Sequence, residues 1–422
     1  MACADSSIRN GWLKSRPAPI ALTDRRSQRT ALWGVIAAVF LVGTGVGSVL
    51  PIMPLFLHER GSSYAMVGIV VGANLVAQFL AQYPAGWLSD RLGRAPLMIG
   101  GLVVAGIAIA AFALPFSIGW LIVLRVIQGF GAAAFRPGSR AVVADLVPEG
   151  ERGVAYGWLT AADLGGLIFG PALGGVLAAF GRSLVFEVTG LAMLLAAVVV
   201  GFALDIRRRP AAGSHADGAA GSMTSQGLAA VRGVAMLSVG IGFLYGVYNV
   251  VWSLFMKTIG ATDWEVGLSF SLFALPLVLT APLAGWASDR LDRRWLGVVS
   301  TTTTALLAPV YPLLHSVVAV IGVGAIEAST AAFAEPSIIA FLMSSVSSSE
   351  RGRAAGTVGA AETGAKALGA LLGGALFGLG VAIPFLVSSV IALGFIALAV
   401  PSLLAAGRAS GPEPALAVAG RG

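Results

Sequence analysis

The sequence contains a single cysteine, Cys3, and only three histidines, His58, His215 and His315. One cysteine excludes an internal disulfide. The histidines lie outside the long apolar runs, and the chain has neither an H-E-x-x-H motif nor a G-x-x-x-x-G-K-[ST] loop. The sequence therefore predicts no metal site, no cofactor, no enzymatic activity and no direct use of ATP.

Charge is also scarce. Asp, Glu, Lys and Arg make up 11% of the chain, hydrophobic residues make up 57%, and the mean hydropathy is +0.88. A soluble domain carries about 25% charged residues, so this composition predicts an integral membrane protein in contact with a lipid bilayer. The sequence pI of about 10.1 does not indicate a nucleic-acid partner, because the basic residues are scattered between apolar runs. The first thirty residues lack the apolar core of a cleavable signal peptide.

Apolar segments long enough to cross a bilayer recur along the chain. We identify twelve, at residues 31–57, 65–85, 96–115, 119–142, 154–180, 183–204, 233–256, 266–287, 295–314, 316–346, 354–379 and 381–405. A Gly-, Ala- and Ser-rich stretch at 205–232 is typical of a flexible linker. The expected organisation is a basic arm (1–30), a six-helix half (31–204), the linker, a second six-helix half (233–405) and a tail (406–422).

The distribution of basic residues predicts the orientation of this all-α fold. Of the 27 Lys and Arg residues, only Arg60, Arg182 and Lys257 fall in the connections on the side away from the termini. Most of the others lie in the arm, the linker, the tail and the remaining short loops. By the positive-inside rule, both termini and the linker are expected in the cytoplasm.

The two halves align without a gap at a constant offset of 199 residues. The sequence GWLSDRLGR, beginning at Gly86, matches GWASDRLDR at Gly285, and the same offset places Asp163 on Glu362 and Gln128 on Glu327. The halves are therefore predicted to be related by a pseudo-two-fold axis along the membrane normal. In such repeats the substrate site lies near the middle of the membrane, where the halves meet.

Four motifs along the chain carry a family resemblance. The first span has GVGSVLPIMP at 45–54, the loop after span two has GWLSDRLGR at 86–94, span four has RVIQGFG at 125–131, and span five has GLIFGPALGG at 166–175. Together these resemble the major facilitator superfamily, and most of all its twelve-span drug:proton antiporters. The resemblance implies a secondary transporter that works by alternating access.

The resemblance also implies which residues govern gating. In the loop after span two these are Asp90, Arg91 and Arg94, and in its degenerate repeat Asp289 and Arg290, although Asp292 replaces the expected glycine there. The alternative is that these charges only set topology. The glycine-rich motif of span five is expected to pack tightly against the other half and to move during transport, through Gly166, Gly170, Pro171, Gly174 and Gly175.

Asp163 lies near mid-membrane in span five, where insertion of a carboxylate costs about 2.5–3.5 kcal/mol. Such a group either exchanges protons near neutrality or remains protonated in a structural role. Arg125, by its motif, is implied to modulate a neighbouring carboxylate, although it is also placed to hold backbone carbonyls of another helix. Glu327, at similar depth in the second half, is the competing proton site.

Other polar side chains are expected to line a cavity between the halves. Asn74 and Gln78 share a face of span two, and Gln128 lies close to the face that carries Arg125. Glu362 is spaced to pair with Lys366 four residues later, which favours a structural role for both. Span seven contributes an aromatic and amide stripe, either packing or cavity wall, made of Tyr245, Tyr248, Asn249 and Trp252.

The predicted function is proton-coupled export of a small amphipathic or cationic compound by a monomer in the bacterial plasma (inner) membrane. Transport of a specific metabolite, such as a sugar or a siderophore, is the alternative. A receptor or assembly factor on the same fold is a third possibility, but the deep carboxylates and arginines argue against it, since a scaffold has little use for them.

Overall fold

The computed structural model describes residues 25–204, 223–347 and 349–408. Much of the predicted arm (1–30), linker (205–232) and tail (406–422) lies outside these ranges. Where the boundaries can be compared, the helices extend into the predicted arm and linker. The helix that opens the second half begins at Ser225, because Thr224 caps it by accepting a hydrogen bond from the Gly227 amide.

The described residues form fourteen α-helices and no β-strand. The helices are α1 (Arg25–Glu59), α2 (Tyr64–Leu92), α3 (Arg94–Ala110), α4 (Ile118–Ala133), α5 (Phe135–Leu146), α6 (Arg152–Ala178), α7 (Arg182–Ala203), α8 (Ser225–Thr258), α9 (Asp263–Arg290), α10 (Arg293–Leu307), α11 (Val317–Ala331), α12 (Ala334–Ser345), α13 (Arg351–Leu379) and α14 (Ile383–Arg408).

Spans four and ten are each divided into two helices at equivalent points. The breaks between α4 and α5 and between α11 and α12 lie just before Pro137 and Pro336, which are related by the repeat offset. Proline lacks a backbone N–H and crowds the preceding turn, so the helical hydrogen-bond ladder is interrupted there. Each pair of short helices still makes one crossing.

The packing of the helices repeats between the halves. In the first half α1 packs against α6 and α7, α2 against α4, and α3 against α7; in the second, α8 packs against α13 and α14, α9 against α11, and α10 against α14. The halves meet through α2 with α13 and through α6 with α9, a pair of contacts that the same symmetry relates. The predicted pseudo-two-fold arrangement of two six-helix halves is confirmed.

In the described part of the chain, eleven helical segments have the length and apolarity of a membrane span. The twelfth, α13, is 29 residues long but is less apolar, because it carries Glu362, Lys366 and many glycines. Its length of about 44 Å is sufficient to cross a bilayer. It packs between α8 and α2. Large apolar side chains such as Phe202 and Val390 are exposed on the outside, as expected for a surface that faces lipid.

The helices define two ends of the molecule. We call the end that carries the start of α1 and the end of α14 the terminal face, and the other end the opposite face. Near the opposite face, a side chain added at Gly175 would lie 3.0 Å from Trp264 Cα of α9. Gly157 is on the same side of α6, five turns away, and has nothing within 4 Å. The halves are therefore closed together at the opposite face and separated at the terminal face.

Candidate functional site

Four polar side chains between α2 and α4 form one hydrogen-bonded network. Arg125 Nη1 donates to Gln128 Oε1 at 2.5 Å, and Arg125 Nε donates to the Val70 carbonyl at 3.3 Å. Asn74 Nδ2 donates to the Arg125 carbonyl at 3.2 Å and to Gln128 Oε1 at 3.5 Å, and Gln78 Nε2 donates to Asn74 Oδ1 at 2.6 Å. The structure therefore joins the two polar faces, one on α2 and one on α4, into one network.

The surroundings of Arg125 differ from the expectation that it modulates a neighbouring carboxylate. In the described part of the chain no carboxylate lies within 4.0 Å of its guanidinium group. The bond to the Val70 carbonyl agrees with the alternative, in which Arg125 links α4 to α2. Packing gives Arg125 a backbone partner on α2, a relation that the spacing along α4 does not reveal.

Asp163 lies on α6 and pairs with Arg136 of α5. Arg136 Nη2 donates to Asp163 Oδ1 at 3.0 Å, and the Arg136 side chain is 68% exposed. The carboxylate of Asp163 therefore has a cationic partner on the neighbouring helix.

Glu327 has different surroundings. It is 0% exposed on α11, and the Tyr311 hydroxyl donates to its Oε2 atom. Its Oε1 atom is enclosed and has no hydrogen-bond partner, and no basic group among the described residues pairs with it. Tyr311 was not among the sequence-predicted site residues, because it belongs to the turn at 308–313 after α10 and only folding brings it to α11.

The aromatic stripe of α8 is mostly buried inside the second half. Tyr248 packs against Tyr311 with ring centroids 6.1 Å apart, and Trp252 packs against Tyr311 at 4.8 Å. Trp252 Nε1 donates to Ser269 Oγ of α9 at 2.9 Å. Tyr245 and Asn249 are half-buried beside them. Of the two readings of this stripe, packing fits Tyr248 and Trp252, which surround the Glu327 site.

Glu362 and Lys366 pair within α13, as their spacing predicted. Lys366 Nζ lies 2.5 Å from Glu362 Oε1, and both side chains are partly exposed. Gly364, between the two residues of the pair, lies opposite Phe79 of α2: a Cβ atom added to Gly364 would lie 3.8 Å from the Phe79 ring. The pair is therefore at the same height as Gln78, across the boundary between the halves. The pair neutralises its own charge.

The described members of the loop motif make contacts within their own halves. Arg94 forms an ion pair with Asp145 and donates to the Ala141 carbonyl at 2.8 Å, which links α3 to α5. The side chain of Asp90 lies outside the described residues, and Arg91 is exposed.

In the repeat of this motif, Asp289 pairs with Arg293 at 3.3 Å, and Arg290 lies over the Trp286 ring at 4.5 Å. Arg294 donates to Asp292, and this bond lowers the pKa of that carboxyl. Asp292, which takes the place of the motif glycine, caps α10 by accepting from the Arg294 amide at 2.9 Å.

The glycine face of span five was predicted to pack against the other half. This prediction is wrong for most of the face, which packs against α1 of the same half. A Cβ atom added to Gly166 would lie 2.6 Å from the backbone of Thr44 on α1, in the same half, and one added to Gly170 would lie 2.5 Å from it. Gly174 likewise faces Ser48. Glycine permits this close approach of two helix backbones, and helical periodicity alone does not identify which helix approaches.

The contact between halves is made at the end of the motif. Gly175 faces Asp263 and Trp264 of α9, and the side-chain position at Gly267 lies 3.0 Å from Gly175 Cα. The symmetric contact is between Gly374 and Gly68: a Cβ atom added to Gly374 would lie 2.9 Å from Gly68 N. Ser271 Oγ also accepts a hydrogen bond from the Ala172 amide at 3.0 Å. Two glycine contacts therefore close the opposite face.

An ion cluster reinforces this closure. Arg182 of α7 binds Asp263 of α9 through two bonds, of 2.8 and 3.0 Å, and also contacts Glu59 of α1 at 2.8 Å. Lys257 lies 2.6 Å from Asp263. A capping box of Thr262 and Glu265 begins α9 and orients Asp263. The sequence identifies Arg182 and Lys257 only as loop charges, since partners so distant in the chain leave no local signal.

We expect Asp263→Asn to open the opposite face more often. Asp263 is 16% exposed and joins the halves through its bidentate ion pair with Arg182. If the substitution weakens this pair by about 1 kcal/mol, the population open at the opposite face rises about fivefold. The measurement is maleimide labelling of Ser271→Cys in a Cys3→Ser background. Glu59→Gln is the matched control, because Glu59 contacts the same arginine but is 64% exposed and belongs to the same half. Equal labelling rates in both variants would contradict the assignment.

Comparison with known proteins identifies the fold and the relatives. The Major Facilitator Superfamily model matches residues 35–238 and 234–418. Multidrug resistance protein 2 of Bacillus subtilis (strain 168) is 27% identical over 367 residues, which cover 85% of this chain and 92% of that protein. Quinolone resistance protein NorA of Staphylococcus aureus is 29% identical over 161 residues, covering 38% of this chain and 42% of NorA.

Solved structures agree on the architecture. A bacterial homologue of the human lysosomal transporter Spinster, crystallised in inward-facing occupied and unoccupied conformations, superposes with a TM-score of 0.74 in both states. Sequence identity is 16% and 15%, and the match covers 91% of this chain and 98% of the homologue. At this identity the similarity concerns the fold alone.

Proposed function

Because this chain belongs to the Major Facilitator Superfamily, we propose that it exports small amphipathic compounds in exchange for protons. It is a multi-pass membrane transporter. The export direction and the substrate class are supported by its relatedness to proteins named for multidrug and quinolone resistance. The span-five and first-span motifs, which resemble those of the drug antiporters, support the same function. We place it as a monomer in the bacterial plasma membrane, with both termini in the cytoplasm.

With this orientation, the structure corresponds to an inward-open state. The opposite face becomes the outer side, closed by the two glycine contacts and the ion cluster around Arg182. The terminal face becomes the cytoplasmic side, where α6 and α13 stand apart from the other half. Closure of that side would bring the Asp90, Arg91 and Arg94 loop towards the second half, and we propose that this loop and its repeat at Asp289 and Arg290 form the inner gate.

The single observation that carries proton coupling is the isolation of Glu327. A carboxyl group with no exposed surface, one phenolic donor and no basic partner among the described residues cannot stay ionised without a large desolvation cost. It is therefore stable as the protonated form when enclosed, and it releases its proton when an opening admits water or a cation. Asp163 differs in its surroundings, because it is ion-paired with Arg136.

The experiment that tests this function is transport in proteoliposomes. We expect an amphipathic cationic dye to accumulate when a pH gradient is imposed, by about tenfold for each proton exchanged per pH unit. Collapse of the gradient with an ionophore is the control. Equal flux of the dye with and without the gradient would refute proton coupling, and gradient-driven flux of a sugar alone would favour a metabolite transporter.

A further inference from the structure

The charge of Arg125 has no carboxylate partner among the described residues. The side chain is 9% exposed, between α4 and α2, and its described contacts are a backbone carbonyl and the amide oxygen of Gln128. Both acceptors are neutral. A guanidinium group buried without a counter-charge is costly, and it is normally retained where it binds an ion or a ligand.

Two donors beside this charge have no partner. Neither Arg125 Nη2 nor Gln128 Nε2 takes part in a hydrogen bond within the described part of the chain. Neither belongs to the enclosed unpartnered atoms, which are Tyr248 Oη, Ser253 Oγ, Glu327 Oε1 and Ser337 Oγ. Both donors therefore have some open surface. They lie on adjacent groups, joined by the 2.5 Å bond from Arg125 Nη1 to Gln128 Oε1.

The surrounding amides hold Gln128 in this orientation. Arg125 and Asn74 both donate to Gln128 Oε1, so the oxygen faces them and the NH₂ group of the same amide is left free. Gln78 fixes Asn74 in turn through its 2.6 Å bond. The half-buried Gln78 connects the network to the boundary between the halves, where α2 meets α13. The result is two adjacent donors, Arg125 Nη2 and Gln128 Nε2, that have no acceptor among the described residues.

We propose that Arg125 and Gln128 form an anion subsite that binds the carboxylate of an amphipathic substrate. A guanidinium group presents parallel N–H donors that match a carboxylate, and the adjacent amide adds a further donor. This inference rests on the proposed transport function and extends it, because substrates with an acidic group join the cationic compounds predicted from the sequence. The second half carries a carboxyl group at the repeat-related position, since Glu327 corresponds to Gln128.

The test is thermal unfolding of the purified full-length protein in detergent at constant ionic strength. Sodium benzoate is expected to raise the Tm saturably, by about 2 °C or more, because a ligand that binds only the folded state stabilises it. Benzamide, which has the same ring and no charge, is expected to leave the Tm unchanged. An equal, saturable rise in Tm with sodium chloride would show that the site binds free inorganic anions. That result would overturn the proposal that it binds the carboxylate of a substrate.

Gln128→Glu is the decisive variant. Its carboxylate takes the place of an oxygen that already accepts from Arg125 at 2.5 Å, so it supplies the missing counter-charge and is expected to abolish the benzoate response while the protein stays folded. Arg125→Gln is expected to lose the response as well. Arg136→Gln is the control arginine and is expected to keep it, because Arg136 is largely exposed and pairs with Asp163.

A wild-type benzoate response in Gln128→Glu, or an equal loss in Arg136→Gln, would overturn the proposal. So would the absence of any benzoate effect in the wild type. Because the measurement uses no proton gradient, its failure leaves proton-coupled export standing. Conversely, a failure of the gradient assay leaves the anion subsite standing.

Discussion

Glu327→Gln is expected to abolish gradient-driven accumulation of substrate while leaving downhill exchange of substrate for substrate measurable. The amide resembles the protonated carboxyl in shape and can keep a bond to Tyr311, so the second half should fold. It cannot release a proton. A pH gradient of one unit contributes about 1.4 kcal/mol per proton, so losing one coupled proton lowers the accumulation ratio about tenfold.

The matched comparison is Asp163→Asn, which changes the other deep carboxylate. We expect substrate-induced proton release, measured with a pH indicator in detergent solution, to vanish in Glu327→Gln and to persist in Asp163→Asn. Tyr311→Phe removes only the hydroxyl that contacts Glu327 and is expected to shift the pH at which substrate binding changes. Proton release that persists in Glu327→Gln and vanishes in Asp163→Asn would return the coupling site to span five.

Gly175→Leu is expected to reduce transport by about tenfold or more, because it obstructs closure of the opposite face. The position of its Cβ lies 2.8 Å from the Asp263 carbonyl oxygen and 3.0 Å from Trp264 Cα, both backbone atoms that cannot move away independently. Overpacking of this kind costs about 1–3 kcal/mol. The cost falls only on the state in which the halves touch there, which shifts its population about 5- to 150-fold.

Labelling of Ser271→Cys, in the Cys3→Ser background, reports this shift directly. We expect faster labelling in Gly175→Leu than in the parent. Gly394→Leu is the neutral control, because Gly394 is exposed on α14 with nothing within 4 Å. Gly157→Leu is the control of opposite sign: it obstructs the terminal face and is expected to slow labelling. Normal transport by Gly175→Leu would show that this contact does not have to close.

Much of the architecture could be predicted from the chain itself. The apolar runs, the linker and the constant repeat offset predicted twelve spans in two symmetric halves. Each span is helical because a bilayer requires it to satisfy its own backbone hydrogen bonds. The spacing of four residues within one helix also predicted the Glu362–Lys366 pair, because it does not depend on how separate helices pack. The motifs identified the superfamily, and the span-four motif contains Arg125 and Gln128. Asn74 was predicted from the face of span two that it shares with Gln78.

Only the tertiary structure determined which residues each of these groups contacts. Periodicity placed Gly170 and Asp163 on span five, but the folded chain sets Gly170 against α1 and pairs Asp163 with Arg136. It also enclosed Glu327 beside Tyr311, and joined Arg182 to Asp263 across the two halves. The physical reason is that a helix repeats every 3.6 residues and so determines which residues share a face. The partner of that face depends on how separate helices pack, and no local pattern in the sequence records it.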